Sequence, residues 1–410
     1  MNRKWMLAGS LAFSLLLSKA QQRKSEAFQV NETEMELLYN QYLQTGDNSA
    51  VTGGAGTERL TVYGPSFSLK KTFGKNTLDF QLGADIISSA STDNIDQVLS
   101  SASRLDARSY TSLNYGRFFE KSKVSISIGL SGSIESDYFS IGKFLSVSKT
   151  SRDDMETFSA QFQLFNDDLR WGRLQDGFLS SPIELIYPSE LRFREWHDIY
   201  HRDSYNLNLG YTRIVNRRNT IGLFTTLSLQ EGLLATPFHR VFFTDGTAAV
   251  ENFPRKRYKG ALALKWNSFV GGNVVVRNTV NGYTDSFRVA GFSLDHETSL
   301  KLGPQWSLLP SFRFYVQKGA KYFARFAQHS PDALYYTSDY DLSPFRSYKF
   351  GLGWRHWPAV RKNRGLNTFS LRYFYYSRSD GLRAHTLSTA FNFKARKAPR
   401  KKQDKNGNAL

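Results

Sequence analysis

The sequence predicts an all-β protein: a single transmembrane antiparallel up-and-down β-barrel of about 16 strands, with short periplasmic turns and long outer loops. Three observations carry this expectation. The chain opens on an export leader, a two-residue hydrophobic alternation recurs along nearly all of it, and its connections alternate between short polar turns and long segments.

The leader has a basic start, Met1-Asn2-Arg3-Lys4, an apolar run over 5–17, and the small-x-small sequence Ser18-Lys19-Ala20. That pattern is a secretory signal peptide over 1–20, with the mature chain starting near Gln21 and a periplasmic segment over 21–33. The apolar run is too short to cross a bilayer, and no later run approaches the roughly 20 apolar residues a transmembrane helix needs. There are no cysteines, which excludes lipid attachment through cysteine, disulfides, thiolate metal sites and a cysteine nucleophile.

Composition agrees with a barrel. Aromatic residues make up 15% of the chain, with 32 Phe and 21 Tyr against 11 Pro, yet mean hydropathy is only −0.44. A membrane barrel needs that mixture, because only alternate residues face lipid. The net charge of +18 would suggest nucleic acid in a cytoplasmic protein, and export removes that reading. Part of the charge sits in a basic segment over 395–410, expected to be a solvated periplasmic tail.

The barrel is expected over 34–394, from a first strand at 34–43 to a last at 386–394. In chain order, the lipid-facing sets include Leu78, Phe80 and Leu82; then Val124, Ile126, Ile128 and Leu130, which alternate with Ser125, Ser127, Gly129 and Ser131. Phe158, Phe162 and Leu164 follow, with Leu207, Leu209 and Tyr211, and then Ile221, Leu223 and Leu227. The later sets are Leu262, Leu264 and Trp266; Phe292 and Leu294; Phe312, Phe314 and Val316; Phe350, Leu352 and Trp354; and Leu387, Phe391 and Phe393. Long connections are expected at 45–57, 89–107, 167–202, 232–256 and 319–346, with tighter reversals near Asp137, Phe287 and Asp380-Gly381. An even strand number leaves both ends in the periplasm. The weakest strands are the first and the pair flanking Tyr138, which leaves 14 strands as the alternative.

On the polar phase of the later strands fall Lys265, Arg277, Lys301, Arg313, Lys349, Arg355 and Arg372, with Asp295 and Glu297 as their acidic company. A lumenal ring of Arg and Lys favours anions in a pore; the bland reading is that these residues pair with loop carboxylates and fill the lumen. The repeated Ser- and Asp-rich stretch over 88–108 offers Asp93, Asn94, Asp96 and Asp106 as oxygen ligands, but without the spacing of a specific calcium loop. Its side chains suit turn and capping hydrogen bonds better. His197 and His201 lie four residues apart, as a zinc pair on a helix would, but no glutamate completes an HExxH motif. Ser293 with His296, and Ser388 with His385, are the Ser–His pairs near strands, and a Ser-rich chain offers such pairs by chance. No cofactor site and no catalytic residue is expected. The tryptophans, with the run Tyr373-Phe374-Tyr375-Tyr376, fit interfacial girdles, and Tyr335, Tyr336 and Tyr340 fit loop packing ahead of sugar stacking.

The stretch over 88–108, the run Leu234-Ala235-Thr236-Pro237-Phe238-His239-Arg240-Val241-Phe242-Phe243 and the later Tyr335-Tyr336-Thr337-Ser338-Asp339-Tyr340 resemble a group of bacterial envelope proteins catalogued as domain of unknown function 3570. The resemblance implies an outer-membrane barrel and association with redox- or metal-linked envelope proteins; it brings no activity and no catalytic residue.

The expected role is a non-enzymatic pore for small, anionic solutes in the outer membrane. The rival from another class is a plugged barrel that serves as an envelope scaffold or docking site for periplasmic or surface redox proteins, and a barrel-embedded lipid hydrolase is the third. Expected partners are outer-membrane lipids and lipopolysaccharide, and the barrel-assembly machinery during biogenesis, with no nucleic acid.

Overall fold

A computed structural model describes residues 31–89, 105–135, 138–169, 200–236, 239–359 and 364–397. The leader, the basic tail and most of the 88–108 and 167–202 segments lie outside the described residues, and with them Asp93, Asn94, Asp96, Trp171, Trp196 and His197.

The strands are β1 (Asn31–Thr45), β2 (Leu60–Phe73), β3 (Asn76–Ser89), β4 (Leu105–Phe119), β5 (Val124–Glu135), β6 (Tyr138–Thr150), β7 (Glu156–Asp168), β8 (His201–Ile214) and β9 (Asn219–Gly232). Two short strands, β10 (Arg240–Phe242) and β11 (Ala248–Val250), precede β12 (Lys256–Val270), β13 (Val274–Asp285), β14 (Ala290–Lys301), β15 (Trp306–Lys318), β16 (Phe345–His356), β17 (Arg364–Arg378) and β18 (Arg383–Lys397). Sixteen of them form one closed antiparallel barrel in chain order, in which β9 pairs with β12 and β18 returns to β1. β10 and β11 form a separate two-stranded sheet inside the β9–β12 connection.

The barrel is longer at both ends than the alternation indicates, running from Asn31 to Lys397. At these ends charge replaces hydrophobicity as the pairing signal: Lys394 Nζ lies 2.9 Å from Glu34 Oε1 and also contacts Glu32, on the strand that closes the barrel. A hydrophobic period cannot mark a strand end made of Glu and Lys. The expected strands on either side of Tyr138 and the first strand are all present, so the count is sixteen.

Alternation sorts the side chains. Ile128 and Leu130 keep 58% and 60% of their surface exposed, while their neighbours Ser127, Gly129 and Ser131 face the interior, where Ser127 Oγ lies 2.5 Å from Ser146 Oγ. Exposed Leu, Ile and Phe recur around the outer wall on the lipid-facing sets named above, save Phe312, Phe314 and Val316, which are half-buried. Such a belt is unstable in water and stable in hydrocarbon. Each barrel strand is 12–15 residues long, enough for the roughly 9–11 that cross a bilayer at a tilt. At the short-turn end, Trp306 stacks on Trp354 at 4.8 Å and on His356 at 3.8 Å, and Trp354 meets Phe369 edge-on at 5.7 Å, as an interfacial girdle would.

At the opposite end, connections distant in sequence interlock. Asn252 exchanges backbone hydrogen bonds with Tyr336, and Thr244 N donates to His329 O at 2.9 Å. Gly54, at φ +85°, lies so close to Ser338 O that a Cβ there would be 2.7 Å away. Phe253, Phe287, Val289, Ala320 and Leu342 form a small buried core beneath. Tyr335, Tyr336 and Tyr340 all pack within these connections, on Tyr322, Phe243 and Phe323 respectively.

Leu130→Arg places a charge at mid-belt and is expected to cost about 2–4 kcal/mol. Urea unfolding of the protein refolded in lipid vesicles measures this, and Ser131→Arg on the inner face should cost much less.

Candidate functional site: the lumenal wall

Strand register places each candidate cation. On β12, Leu262, Leu264 and Trp266 face outward, so Lys265 faces inward. Lys265 pairs across to Thr279, Thr279 to Asp295, Asp295 to Arg313, and Arg313 to Lys349. One step along, Asn267 pairs with Arg277 and Arg277 with Glu297. Lys301, Arg355 and Arg372 share the inward phase, opposite Ser307, Ser307 and Gly353 respectively. Register therefore brings all the cations named from sequence onto one interior wall, formed by β12 to β17.

The wall is only partly neutralised. Glu297 is clamped between Arg277 and Arg372, 3.0 Å from each, and Asp295 lies 3.3 Å from Arg313. Lys349 instead caps the face of Phe374, its Nζ 4.1 Å from the ring centroid. Phe374 in turn lies flat across Gly351, where a Cβ would come within 2.4 Å of the ring. Arg355 approaches Trp357 at 5.8 Å, in the field of Arg372, Glu297, Arg277 and Glu36. Neither Lys349 nor Arg355 has a carboxylate at ion-pair distance among the described residues, so cations exceed carboxylates on this wall. Arg313, at mid-height of β15, keeps 44% of its side chain open to water. Among the described residues no side chain covers that part of it.

Across the lumen, β4 to β9 present hydroxyls and amides. Asn208 Nδ2 donates to Gln163 Oε1 at 3.2 Å and Thr226 Oγ1 to Asn208 Oδ1 at 2.8 Å. At mid-height the cationic wall thus faces an uncharged polar one, and between them β1 to β3 turn Glu36, Asp79 and Asp85, with Lys70, to the interior.

A second charged tier was not singled out from sequence. Just below the interlocked connections, Arg202 pairs with Asp167 at 2.8 Å, Arg108 with Glu135 at 3.6 Å, and Arg257 with Asp285. Arg378 Nη1 donates to Asp341 at 2.6 Å and its Nη2 to Tyr340 O at 2.7 Å, while Gln317 donates to Asp341 O and Ser343 O. Inward-facing strand ends thus hold the 319–344 connection against the mouth. Each arginine here lies next to a strand end, where alternation fades, and that is why pattern alone passed over them.

Within the connections, Glu251 is fully buried. Its Oε1 accepts from Thr236 N at 2.7 Å and its Oε2 from Thr337 Oγ1 at 2.8 Å, while His239 Nδ1 lies 3.4 Å from Oε1. Burial pulls the His239 pKa down, but the Glu251 charge, aided by Asp339, more than offsets it and leaves the imidazole above its ordinary value. Burial pushes Glu251 up, and His239 with the Thr236 N–H outweighs that and brings it to about 2. Burial and the neighbouring Asp341 raise Asp339.

The Ser–His pairs do not assemble. His296 faces outward between Asn278 Oδ1 and Thr298 Oγ1, at 2.8 and 2.9 Å, whereas Ser293 is buried on the inner face with Asn281 and Asp295. His385 faces outward to Tyr373 OH at 2.7 Å, and Ser388 has the opposite phase. Odd sequence offsets put each pair on opposite faces of one strand. No group of three or more metal-ligating residues occurs among the described residues.

A family model described as "Protein of unknown function (DUF3570)" matches residues 100–394. No curated protein matches the sequence. Among solved structures, a BenF-like porin from Pseudomonas fluorescens is 9% identical, with 88% of this chain and 98% of that chain covered and a TM-score of 0.40. OpdK of Pseudomonas aeruginosa, solved with vanillate, is 8% identical, with 89% and 99% covered and a TM-score of 0.40. A bacterial polysaccharide outer membrane secretin is 10% identical, with 91% and 100% covered and a TM-score of 0.42. Such scores leave the function of this barrel to its own residues.

The buried ion pair sets a pH dependence for the connections over the mouth. His239 is raised, so its contribution is complete below its unfolded value of about 6.5 and is lost as pH rises through the higher folded value. The raised Asp339 acts in the same direction. The depressed Glu251 contributes above an unfolded value of about 4.3, and loses that contribution as pH falls toward about 2. The protection of 239–255 and 319–344 against hydrogen exchange, taken relative to each amide's intrinsic rate at the same pH, should therefore be greatest near pH 5–6 and fall at higher pH. His239→Asn should flatten the alkaline side of that profile.

Proposed function

The chain belongs to the DUF3570 family, and we propose that this member is a non-enzymatic outer-membrane barrel that passes small anionic solutes through an aqueous lumen. The observation that carries the reading is Arg313, inward at mid-height and still water-exposed on a wall with more cations than carboxylates. A barrel of sixteen strands is wide enough for an aqueous channel. Low-dielectric walls focus the field of the excess cations into that channel, so anions enter it at lower cost than cations.

Lys265, Arg277, Lys301, Arg313, Lys349, Arg355 and Arg372 form the selective wall in this reading. Lys349 and Arg355 carry most of the bias, because they have aromatic rather than carboxylate neighbours. The hydroxyl and amide wall opposite offers hydrogen bonds without charge, so a solute with an anionic group at one side and polar groups at the other fits the cross-section. The outer-membrane location follows from the lipid-facing belt and the export leader, with long connections facing outward and both ends of the described chain in the periplasm.

The interlocked connections over the mouth favour a second reading, a closed barrel that serves as an envelope scaffold for redox or other surface proteins. Single-channel recording of the refolded mature protein in a planar bilayer separates the two. The pore reading requires discrete steps whose reversal potential in a salt gradient has the sign of anion selectivity. Lys349→Gln with Arg355→Gln should shift that potential toward the cation side without abolishing the steps, and Ser127→Ala on the neutral wall should leave it in place. Silence from a barrel verified as folded would transfer the assignment to the scaffold.

A further inference from the structure

The outward face carries a charge feature that the lumen does not explain. Lys318, Arg346 and Arg383 stand at the long-loop ends of β15, β16 and β18, and all three are exposed. Their phase is outward: Arg346 pairs with Val316, Lys318 lies one outward step beyond Val316, and Arg383 pairs with Ser377 beside Tyr375 and Tyr373. Neighbouring strands lie roughly 4.8 Å apart, so Lys318 and Arg346 stand on adjacent strands and Arg383 two strands beyond Arg346, across β17. Among the described residues none of them has a carboxylate at ion-pair distance.

Several cations elsewhere on the rims have partners. At the short-turn end Lys75 pairs with Glu120 at 3.1 Å, Lys123 with Asp154 at 2.7 Å and Arg213 with Glu156 at 3.6 Å. On the upper outer face of β6 to β8, Lys143 reaches Asn166 at 3.5 Å, and Asn166 donates to Asp203 at 2.8 Å. Lys318 and Arg346 on β15 and β16 sit above an aromatic part of the lipid-facing belt, where Phe314 meets Tyr348 at 5.4 Å and Phe312 meets Phe350 at 5.2 Å, and Arg383 on β18 stands above His385 and Leu387.

Unpaired guanidinium and ammonium groups immediately above a lipid-facing apolar surface complement a lipid with an anionic headgroup. Phosphate monoesters suit them best, because Arg binds phosphate bidentately and through charge-assisted hydrogen bonds. We infer that Lys318, Arg346 and Arg383 form a binding site for the phosphorylated sugar headgroup of lipopolysaccharide, whose acyl chains lie along the belt below. This rests on the outer-membrane orientation proposed above, with these strand ends in the outer leaflet.

The test uses the full mature barrel refolded in detergent and titrated with labelled bisphosphorylated lipid A, with dephosphorylated lipid A as the matched probe. The bisphosphorylated lipid should bind saturably, and the dephosphorylated lipid about tenfold more weakly, a change of roughly one decade in Kd. This arm needs no variant. In the second arm Lys318→Gln, Arg346→Gln and Arg383→Gln together should weaken binding by a similar factor, while Lys71→Gln with Lys149→Gln, at the short-turn rim, should not. Equal affinity for the two lipids, an unaffected triple variant, or equal thermal stabilisation by inorganic phosphate alone would each overturn the assignment. Orientation is read separately, from labelling of a tag inserted after Asp245 on intact cells. A buried tag would refute the orientation without altering the binding result.

Discussion

The rest of the molecule depends on closure of the hydrogen-bonded ladder between β1 and β18. Their register runs unbroken from Asn31 opposite Lys397 to Thr45 opposite Arg383. An open sheet would leave two rows of unpaired N–H and C=O groups in hydrocarbon, at several kcal/mol for each group. Once the last strand meets the first, no edge remains, and an apolar belt can face lipid on every side. The pairs of Lys394 with Glu32 and Glu34 hold that seam at its end nearest the chain termini.

Closure also converts a one-dimensional alternation into an inside and an outside with different chemistry. On the outer face the alternation is nearly uniform around the ring. On the inner face it is not: most cations gather on β12 to β17, carboxylates stand on β1 to β3, and at mid-height β4 to β9 carry uncharged hydrogen-bonding groups. The excess cations of β12 to β17 set the sign of the field along that wall. Asp295 and Glu297 temper it locally, and each also fixes the rotamer of an arginine that would otherwise be free to sweep the lumen. Phe374 does the same for Lys349 without cancelling its charge.

The connections at the mouth are held by a different principle. They span residues far apart in sequence, and Glu251 reaches Thr337 across 86 positions. A buried carboxylate there is tolerable because its oxygens receive a backbone N–H, a hydroxyl and an imidazole charge. Gly54 permits the contact with Ser338 that a side chain would block. Arg378 and Gln317 then tie this assembly to the barrel through side chains that point inward from the strand ends. Loop order and barrel closure are thus coupled at a few defined contacts.

By itself the sequence determined the barrel, a count of about 16 strands with 14 as the alternative, which residues face lipid, and the inward phase of Lys265, Arg277, Lys301, Arg313, Lys349, Arg355 and Arg372. Each of these follows from a period of two, and a local period is fully written in local sequence. The same rule separates His296 from Ser293 and His385 from Ser388, since odd offsets along a strand lie on opposite faces. Only the tertiary structure decided which cations find a carboxylate, that Lys349 rests on Phe374, that the strands extend to Asn31 and Lys397, and that Arg108, Arg202, Arg257 and Arg378 form a buried tier beneath the loops. These depend on which strand lies beside which, on the shear of the closed barrel and on how connections fold back across its mouth. No period in the chain encodes distances between residues that closure alone brings together.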